Sequence, residues 1–187
     1  MPNPPPRLRP ALAPDLPEIQ AIYAHHVLHG TGSFEEEPPP LEEMARRFAA
    51  VTGRRGAWLV AEDETGVLGY AYFSQLRERS AYRFAAEDSV YIRPDAQGRG
   101  VGRALLCGLL DAATAGGWRQ MVAVIGDAAN LGSIRLHAAL GFREIGRLEA
   151  VGRKFDRWLD CVYMQRALGA GAGELAGGCV CAPRAPA

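Results

Sequence analysis

Two features are missing from the sequence: a long apolar run and an excess of charge of either sign. The longest purely apolar stretches, such as residues 121–125, fall far short of the roughly 20 residues that a membrane-spanning helix needs. The 21 Lys and Arg residues balance 21 Asp and Glu residues, so nothing attracts nucleic-acid phosphates or an anionic membrane in general. The proline-rich start lacks the apolar stretch of a signal peptide. We therefore expect a cytoplasmic protein with a small-molecule partner, no nucleic acid and no membrane.

Cysteine is also scarce, and the four residues present do not suggest a disulfide framework. Cys107 and Cys161 fall in apolar segments, whereas Cys179 and Cys181 stand in a tail rich in Gly and Ala. The pair Cys179-Val-Cys181 lacks the two intervening residues and the second ligand pair that structural zinc sites usually show. We therefore expect reduced thiols and no metal.

The length of 187 residues and the 48% hydrophobic content suit one domain with a substantial core. Neither an internal repeat nor a long linker divides the chain. Residues 1–6 are rich in Pro, and residues 169–187 are rich in Gly, Ala and Pro. Such segments have few large apolar side chains to bury, so we predict that both ends are disordered and that the domain spans residues 7–168.

Apolar periodicity along the chain predicts the element order β-α-α-β-β-β-α-β-α-β-β. Asp15 and Glu18 have the spacing of a capping box at the start of the first helix. The runs 57–62 and 67–75 flank a short polar turn, which predicts an antiparallel hairpin. This order indicates a mixed α/β fold rather than a repeated βαβ series.

The most informative stretch, residues 89–103, leads from a strand into alternating glycines at the start of a helix. Gly98, Gly100 and Gly102 have no Cβ to hold an anion away, and a first helical turn presents unpaired N–H groups. Arg99 and Arg103 add charged donors, so the pattern predicts a cradle for a phosphate-bearing ligand. There is no Gly-Lys-Ser/Thr ending, and the third glycine comes one position early for the dinucleotide fingerprint. Both a P-loop and an NAD site are therefore disfavoured.

The loop Gln97-Gly-Arg-Gly-Val-Gly102 resembles the Gln/Arg-x-x-Gly-x-Gly/Ala loop of the GNAT superfamily of N-acetyltransferases. Residues 22–37, 81–91, 130–142 and 152–160 are similar to segments of the phosphinothricin and methionine sulfoximine N-acetyltransferases within it. This resemblance implies an α/β fold of the GNAT acyl-CoA N-acyltransferase type, a mixed, mostly antiparallel sheet flanked by helices. It also implies acetyl transfer from acetyl-CoA to the α-amino group of a small amino acid or analogue, without a metal, by a homodimer.

The resemblance assigns the acetyl-CoA site to three segments. The main chain of the fourth strand would pair with the pantetheine arm and offer an N–H to the thioester oxygen. The glycine loop would hold the pyrophosphate, and an asparagine after the next strand would contact the far side of the ligand. The implied residues are Val90, Tyr91, Ile92, Gln97, Gly98, Arg99, Gly100, Val101, Gly102, Arg103 and Asn130.

The resemblance also implies two candidate catalytic residues. An ammonium must lose a proton before it attacks a thioester, and Glu87 matches the family's glutamate as the base. The preceding residues, Ala85 and Ala86, replace the family's more usual Thr-Val, and a solvated strand start is the alternative interpretation of Glu87. His137 is either the acid that protonates the departing thiolate or a structural histidine.

Substrate recognition needs cations for anionic groups, together with aromatic walls. Arginines stand just upstream of Glu87, and an aromatic residue stands in the loop between the first two helices; three further positions match substrate contacts of the family. The predicted substrate-binding residues are Phe34, Arg77, Arg79, Ser80, Ala81 and Tyr82. The nearby histidines His25, His26 and His29 do not share one helical face, and we assign them to a helix end or an interface.

Two alternatives stay open at the level of sequence. The same fold can act on another amine, such as an aminoglycoside or a protein N-terminus. A non-catalytic acyl-CoA-binding module would also keep the glycine loop, although it would need neither Glu87 nor the arginine cluster.

Overall fold

The computed structural model describes residues 6–173. The predictions for residues 1–5 and for most of the C-terminal tail, with Cys179 and Cys181, lie outside the described residues. Residues 169–173 form a turn, and the Arg119 side chain donates to the carbonyl oxygens of Gly171 and Gly173, each at 2.7 Å. Ordered contacts thus continue past Leu168, and the division into one domain and two disordered ends stays a prediction.

The helices and strands follow the predicted order, with ends shifted by a few residues. The strands are β1 (Arg7–Pro10), β2 (Ala57–Asp63), β3 (Gly66–Gln75), β4 (Ala85–Ile92), β5 (Gln120–Gly126), β6 (Arg143–Lys154) and β7 (Arg157–Ala167). The helices are α1 (Leu16–His29), α2 (Leu41–Thr52), α3 (Val101–Ala115) and α4 (Leu131–Ala139). Within the described part of the chain, no helix combines the length and the apolar character needed to cross a membrane.

Across residues 6–173 the strands form one seven-stranded sheet in the order β1-β2-β3-β4-β5-β7-β6. All neighbouring strands are antiparallel except β4 and β5, which are parallel. The predicted hairpin is confirmed as the antiparallel pair β2 and β3, in which Val60 lies opposite Tyr70. The prediction of a mixed, mostly antiparallel sheet flanked by helices is also confirmed.

Strands β4 and β5 separate partway along their length. Their parallel ladder ends where Asp88 lies opposite Ala123, whereas β4 continues to Ile92 and β5 to Gly126. We call this opening the fork. Because β4 beyond Asp88 has no ladder with β5, its main-chain polar groups on that side can pair with another extended chain.

Side chains along β4 alternate between the two faces of the sheet. Ala86 belongs to the core cluster that contains the buried stripe of α3, including Leu105 and Leu109. Tyr91 packs against the second cluster, which contains the buried residues of α1. Even-numbered β4 side chains thus face α3, and the odd-numbered Glu87 faces the side of α1 and α2.

The start of α1 differs from the predicted capping box. The Asp15 carboxylate accepts from the Leu12 N–H at 2.7 Å and from Arg9 Nη1 at 2.7 Å, within a short 3-10 turn that precedes the helix. Glu18 accepts instead from the Val67 N–H at 2.8 Å. The prediction of a capping box was wrong because Arg9 of β1 binds the Asp15 carboxylate and the Val67 N–H of β3 binds the Glu18 carboxylate.

Candidate active site

A cavity of about 460 Å³ lies at the fork and reaches the start of α3. Its walls are the ends of β4 and β5, the glycine loop and the N-terminal part of α4. The cavity brings together every predicted acetyl-CoA residue except Arg99, although their roles stay predictions. The lining residues from that set are Val90, Tyr91, Ile92, Gln97, Gly98, Gly100, Val101, Gly102, Arg103 and Asn130.

The glycine loop takes its shape from two residues in the left-handed region. Gly98 has φ +73° and Gly100 has φ +82°, where an L side chain is strained. Crowding is not the reason, because a Cβ at either position would have no neighbour within 4 Å. The N–H of Ala104 donates to the Gly100 carbonyl at 3.0 Å, so the N–H groups of residues 101–103 precede the first helical bond. They are available to an anion at the positive end of the α3 dipole.

The two arginines of the loop are placed differently. Arg103 is exposed and lines the cavity, where its guanidinium can bind a ligand phosphate. Arg99 Nη2 donates to Asp63 Oδ2 at 2.9 Å, next to the β2–β3 turn. The structure therefore puts one of the two predicted cations beside the cavity and holds the other against β2.

The cavity includes His26, which sequence reasoning assigned to a helix end or an interface. Its Nε2 lies 2.8 Å from the Ile92 carbonyl, which can only accept, so Nε2 carries the proton. Burial lowers the pKa of His26, and nearby His25 also lowers it, against the opposing effect of the Ile92 carbonyl. His26 therefore holds the end of β4 as a neutral donor. No local pattern signals this contact, because the partners are 66 residues apart.

Asn130 caps α4, with its side-chain oxygen accepting from the Ser133 N–H at 3.2 Å. One turn further along α4, His137 Nδ1 lies 2.8 Å from the Ser133 carbonyl, and Nε2 lies 3.0 Å from Asp88 Oδ2. Burial lowers the pKa of His137, but the bond and charge of Asp88 raise it further, with a contribution from Ser133, so the net pKa is raised. Both ring nitrogens of His137 thus face acceptors within the protein.

Glu87 lies next to the fork, on the face of the sheet that carries α1 and α2 and not on the face that carries α3. Its side chain is 32% exposed, and its carboxylate oxygen lies 3.6 Å from Arg77 Nη1. Burial raises the pKa of Glu87, Arg77 opposes that rise, and Asp88 adds to it; the net pKa lies above its ordinary 4.5. A carboxylate with a raised pKa is a better proton acceptor near neutral pH.

The other predicted substrate residues do not line the cavity. Ser80, Ala81 and Tyr82 form an exposed 3-10 turn, and Arg79 precedes it on the surface. Arg77 is the member of this group whose side chain lies beside Glu87. The turn thus lies on the surface outside the cavity lining, and its role in substrate binding stays a prediction.

The loop between α1 and α2, which carries Phe34, is attached to the far half of the sheet. Thr31 Oγ1 donates to Asp127 Oδ2 at 2.9 Å, just after β5. Lys154 Nζ donates to the Ser33 carbonyl at 2.8 Å, and the Phe34 ring contacts the end of β5. Lys154 is only 3% exposed, and burial lowers the pKa of its ammonium. The loop is thus held in place at its N-terminal half.

Residues 19–142 match the model of the acetyltransferase (GNAT) family. The chain belongs to this family. It is 56% identical to the phosphinothricin N-acetyltransferase of Alcaligenes faecalis, over 84% of this chain and 80% of that one. It is 42% identical to the L-methionine sulfoximine/L-methionine sulfone acetyltransferase of Pseudomonas paraeruginosa, over 84% of this chain and 92% of that one.

The solved structures agree with this assignment. The crystal structure of a GNAT phosphinothricin acetyltransferase from Sinorhizobium meliloti in complex with acetyl-CoA matches with a TM-score of 0.87 and 50% identity. The match covers 89% of this chain and 90% of that one. The predictions of a GNAT fold and of an acetyltransferase are therefore confirmed.

Among residues 6–173, no group of three or more His, Cys, Asp and Glu side chains is placed to hold a metal ion. Cys107 and Cys161, the two cysteines in the described part of the chain, are free thiols.

Proposed function

We propose that this protein transfers the acetyl group of acetyl-CoA to the α-amino group of phosphinothricin, methionine sulfoximine, methionine sulfone or a similar small amino acid. The observation that carries the proposal is the fork, with a phosphate cradle on one side and the half-buried Glu87 on the other. The names of the relatives at 56% and 42% identity supply the substrate class.

The residues of the cavity suit acetyl-CoA. The free N–H groups of residues 101–103 and the Arg103 guanidinium match a pyrophosphate, and the glycines let it approach the main chain. The main chain of Val90, Tyr91 and Ile92 lies along the fork, where β4 has no ladder with β5. Apart from the Ile92 carbonyl, which already accepts from His26, its polar groups on that side can pair with an amide-bearing arm. When bound, acetyl-CoA supplies an activated acetyl thioester. The protein supplies binding, orientation and a proton acceptor.

Glu87 takes the proton from the substrate ammonium, directly or through water. Its raised pKa makes the carboxylate a stronger base than an exposed glutamate, and Arg77 beside it provides a cation for an anionic group of the substrate. For His137 the geometry supports the structural alternative, because neither ring nitrogen is left free to face a thiolate. The exposed Arg79, Ser80, Ala81 and Tyr82 extend the surface around Glu87.

We also propose a homodimer in the cytoplasm. Support for the dimer comes from large apolar side chains that stand exposed on β6, on β7 and in the turn between them. Trp158 is 66% exposed, and Phe155 is 52% exposed. Such a group of side chains is typical of an interaction surface. Light scattering measures the oligomeric state directly.

The decisive experiment is a thiol-release assay with acetyl-CoA and a panel of acceptors. We expect release with phosphinothricin, methionine sulfoximine and methionine sulfone, and little release with an aminoglycoside or a peptide N-terminus. Release with only the aminoglycoside or the peptide would show that the enzyme acts on another class of amine. Binding of acetyl-CoA without release in any sample would instead support the non-catalytic module.

A further inference from the structure

Asp88 and His137 meet at the vertex of the fork. Asp88 is the last residue of β4 in the ladder with β5, and His137 Nε2 lies 3.0 Å from its Oδ2. Both residues border the cavity, yet the side chains are only 1% and 4% exposed, respectively. The pair therefore stands at the point where the two strands part, behind the wall of the cavity.

The hydrogen-bond pattern determines how many protons the pair holds. Nδ1 of His137 lies 2.8 Å from the Ser133 carbonyl and 3.3 Å from the Ser133 hydroxyl. The carbonyl, which is the nearer partner, can only accept, so Nδ1 carries a proton and the hydroxyl oxygen can act as a second acceptor. The contact between Nε2 and the Asp88 carboxyl then needs a second proton, which sits on one atom or the other. Without this second proton, two lone pairs would face each other at 3.0 Å in a buried setting, which is unfavourable.

The pair is one attachment of α4 to the sheet, beside the half-buried Ile134 and Leu136, which pack against the core. Of the nine residues of α4, His137 alone is fully buried, and its ring meets the Phe142 ring edge-on at 5.0 Å. A helix of this length is unstable by itself, so its position depends on such contacts. The same helix forms one wall of the cavity through Gly132, Ser133 and Leu136.

We propose that Asp88 is a positioning residue for acetyl-CoA: by sharing a proton with His137 it fastens α4 to β4 and keeps this wall in the binding geometry. The proposal rests on the proposed function only in taking acetyl-CoA as the ligand. It does not depend on the identity of the amine.

The charges around the pair are few. Glu87 adjoins Asp88 on the other face of β4, Arg103 of α3 borders the same cavity, and Arg135 of α4 is exposed. From β5 the facing residue is Ala123. Because the pKa of His137 is raised above 6.5, the contribution of the pair is complete below that value. It is lost as the pH rises through the raised pKa.

The test measures acetyl-CoA binding by calorimetry in the absence of any amine, from about pH 6 to pH 9. For the wild type we expect affinity to fall as the pair loses its proton, by at most about tenfold per pH unit for one proton. Asp88→Asn keeps the shape but not the shared proton, and it should bind about tenfold more weakly at the acid end, with little pH dependence. In a His137→Gln background, Asp88→Asn should have little further effect, because the two residues act as a unit.

Hydrogen exchange of the free protein provides a readout without ligand. Asp88→Asn should raise exchange in α4 and leave α3 unchanged, whereas Arg135→Gln, an exposed change on the same helix, should alter neither. If Asp88→Asn misfolds, His137→Gln carries the same test. The proposal is overturned if Asp88→Asn binds with the wild-type affinity and pH dependence, or if exchange rises equally in α3 and α4. A wild type that binds acetyl-CoA but acetylates none of the tested amines would refute the substrate assignment alone.

Discussion

The ring of Phe34 lies against the bare Cα of Gly152 on β6, so closely that any side chain there would overlap it. On its other edge the ring contacts Gly126 at the end of β5, where a Cβ would lie 2.9 Å from the ring. Two glycines thus form the seat for an aromatic side chain of the predicted substrate loop. The loop position depends on the absence of side chains at two distant places in the chain.

Replacing Gly152 by Ala should displace the Phe34 ring. We expect a loss of about 1–3 kcal/mol in the free energy of unfolding, the usual cost of overpacking, and a several-fold higher KM for the amine. The KM for acetyl-CoA should change less, because Gly152 and Phe34 do not line the cavity, although Gly126 beneath the ring does. Gly146→Ala is the matched control on the same strand, since a Cβ there meets nothing within 4 Å. Equal effects of the two substitutions on stability and KM would show that the Phe34 ring does not depend on the space left by Gly152.

Replacing Glu87 by Gln should remove the proton acceptor and leave the acetyl-CoA site intact. We expect kcat to fall by roughly 10² to 10⁴, the usual contribution of a general base, with the dissociation constant of acetyl-CoA unchanged. Because the pKa of Glu87 is raised above 4.5, the wild-type rate should fall on the acid side of that raised value as the carboxylate is protonated. This acid limb should vanish in the variant.

Measurements of kcat at several acid pH values, with Glu78→Gln as the control, test this assignment. Glu78 lies on the neighbouring segment with its side chain 91% exposed, and its substitution should leave both kcat and the acid limb as in the wild type. Full turnover by Glu87→Gln with acetyl-CoA still bound would remove Glu87 from the mechanism.

Local patterns were sufficient to predict the elements and the glycine turn at the start of α3. The glycine loop spans a few consecutive residues, and its two left-handed glycines, Gly98 and Gly100, act within that span. The apolar stripe of α3 is equally local, because residues three and four apart share a helical face. The resemblance to the acetyltransferase family then indicated the sheet.

Contacts between distant segments could not be predicted in the same way. Asp88 and His137 are 49 residues apart, and no spacing rule along the chain links a strand carboxylate to a histidine of a later helix. The fork is a property of the register between β4 and β5, which ends at Asp88. The capping box failed at Glu18 for the same reason, since its partner in the structure, the Val67 N–H, is 49 residues away.

The two loop arginines should differ in their effect on acetyl-CoA. Arg103→Gln should raise the KM for acetyl-CoA by about tenfold, the effect of losing one charge-assisted hydrogen bond to a phosphate, and reduce its sensitivity to salt. Arg99→Gln should have a smaller effect, because that guanidinium bonds Asp63. Steady-state kinetics at two salt concentrations compare them, with Arg46→Gln on the exposed face of α2 as the control. A larger effect at Arg99 would place the pyrophosphate on the other side of the loop.

Asp127 binds the loop that carries Phe34, and its carboxylate should make the free energy of unfolding fall at acid pH. Its Oδ2 accepts from Thr31 Oγ1 at 2.9 Å and from Arg157 Nη2 at 2.8 Å. Burial would raise the pKa of Asp127, but the Ala129 N–H, Thr31 and Arg157 lower it further, so the net pKa lies below 3.8. The stabilisation is therefore complete above about pH 4 and is lost as the pH falls through the lowered pKa.

Asp127→Asn tests this dependence without a change of backbone preference, because Asn also tolerates the φ of +66° at this position. At pH 7 we expect a loss of about 1–3 kcal/mol in the free energy of unfolding. The gap to the wild type should narrow as the pH falls below about 4, because the unfolded-state carboxyl takes up its proton there, and it should close once the pH is below the lowered pKa of the native carboxyl. Urea unfolding at several pH values measures both. Asp156→Asn is the matched control, since Asp156 has φ +57° but a side chain that is 94% exposed. Identical losses in the two variants at pH 7, or a gap that stays constant with pH, would show that the Asp127 carboxylate does not hold the loop.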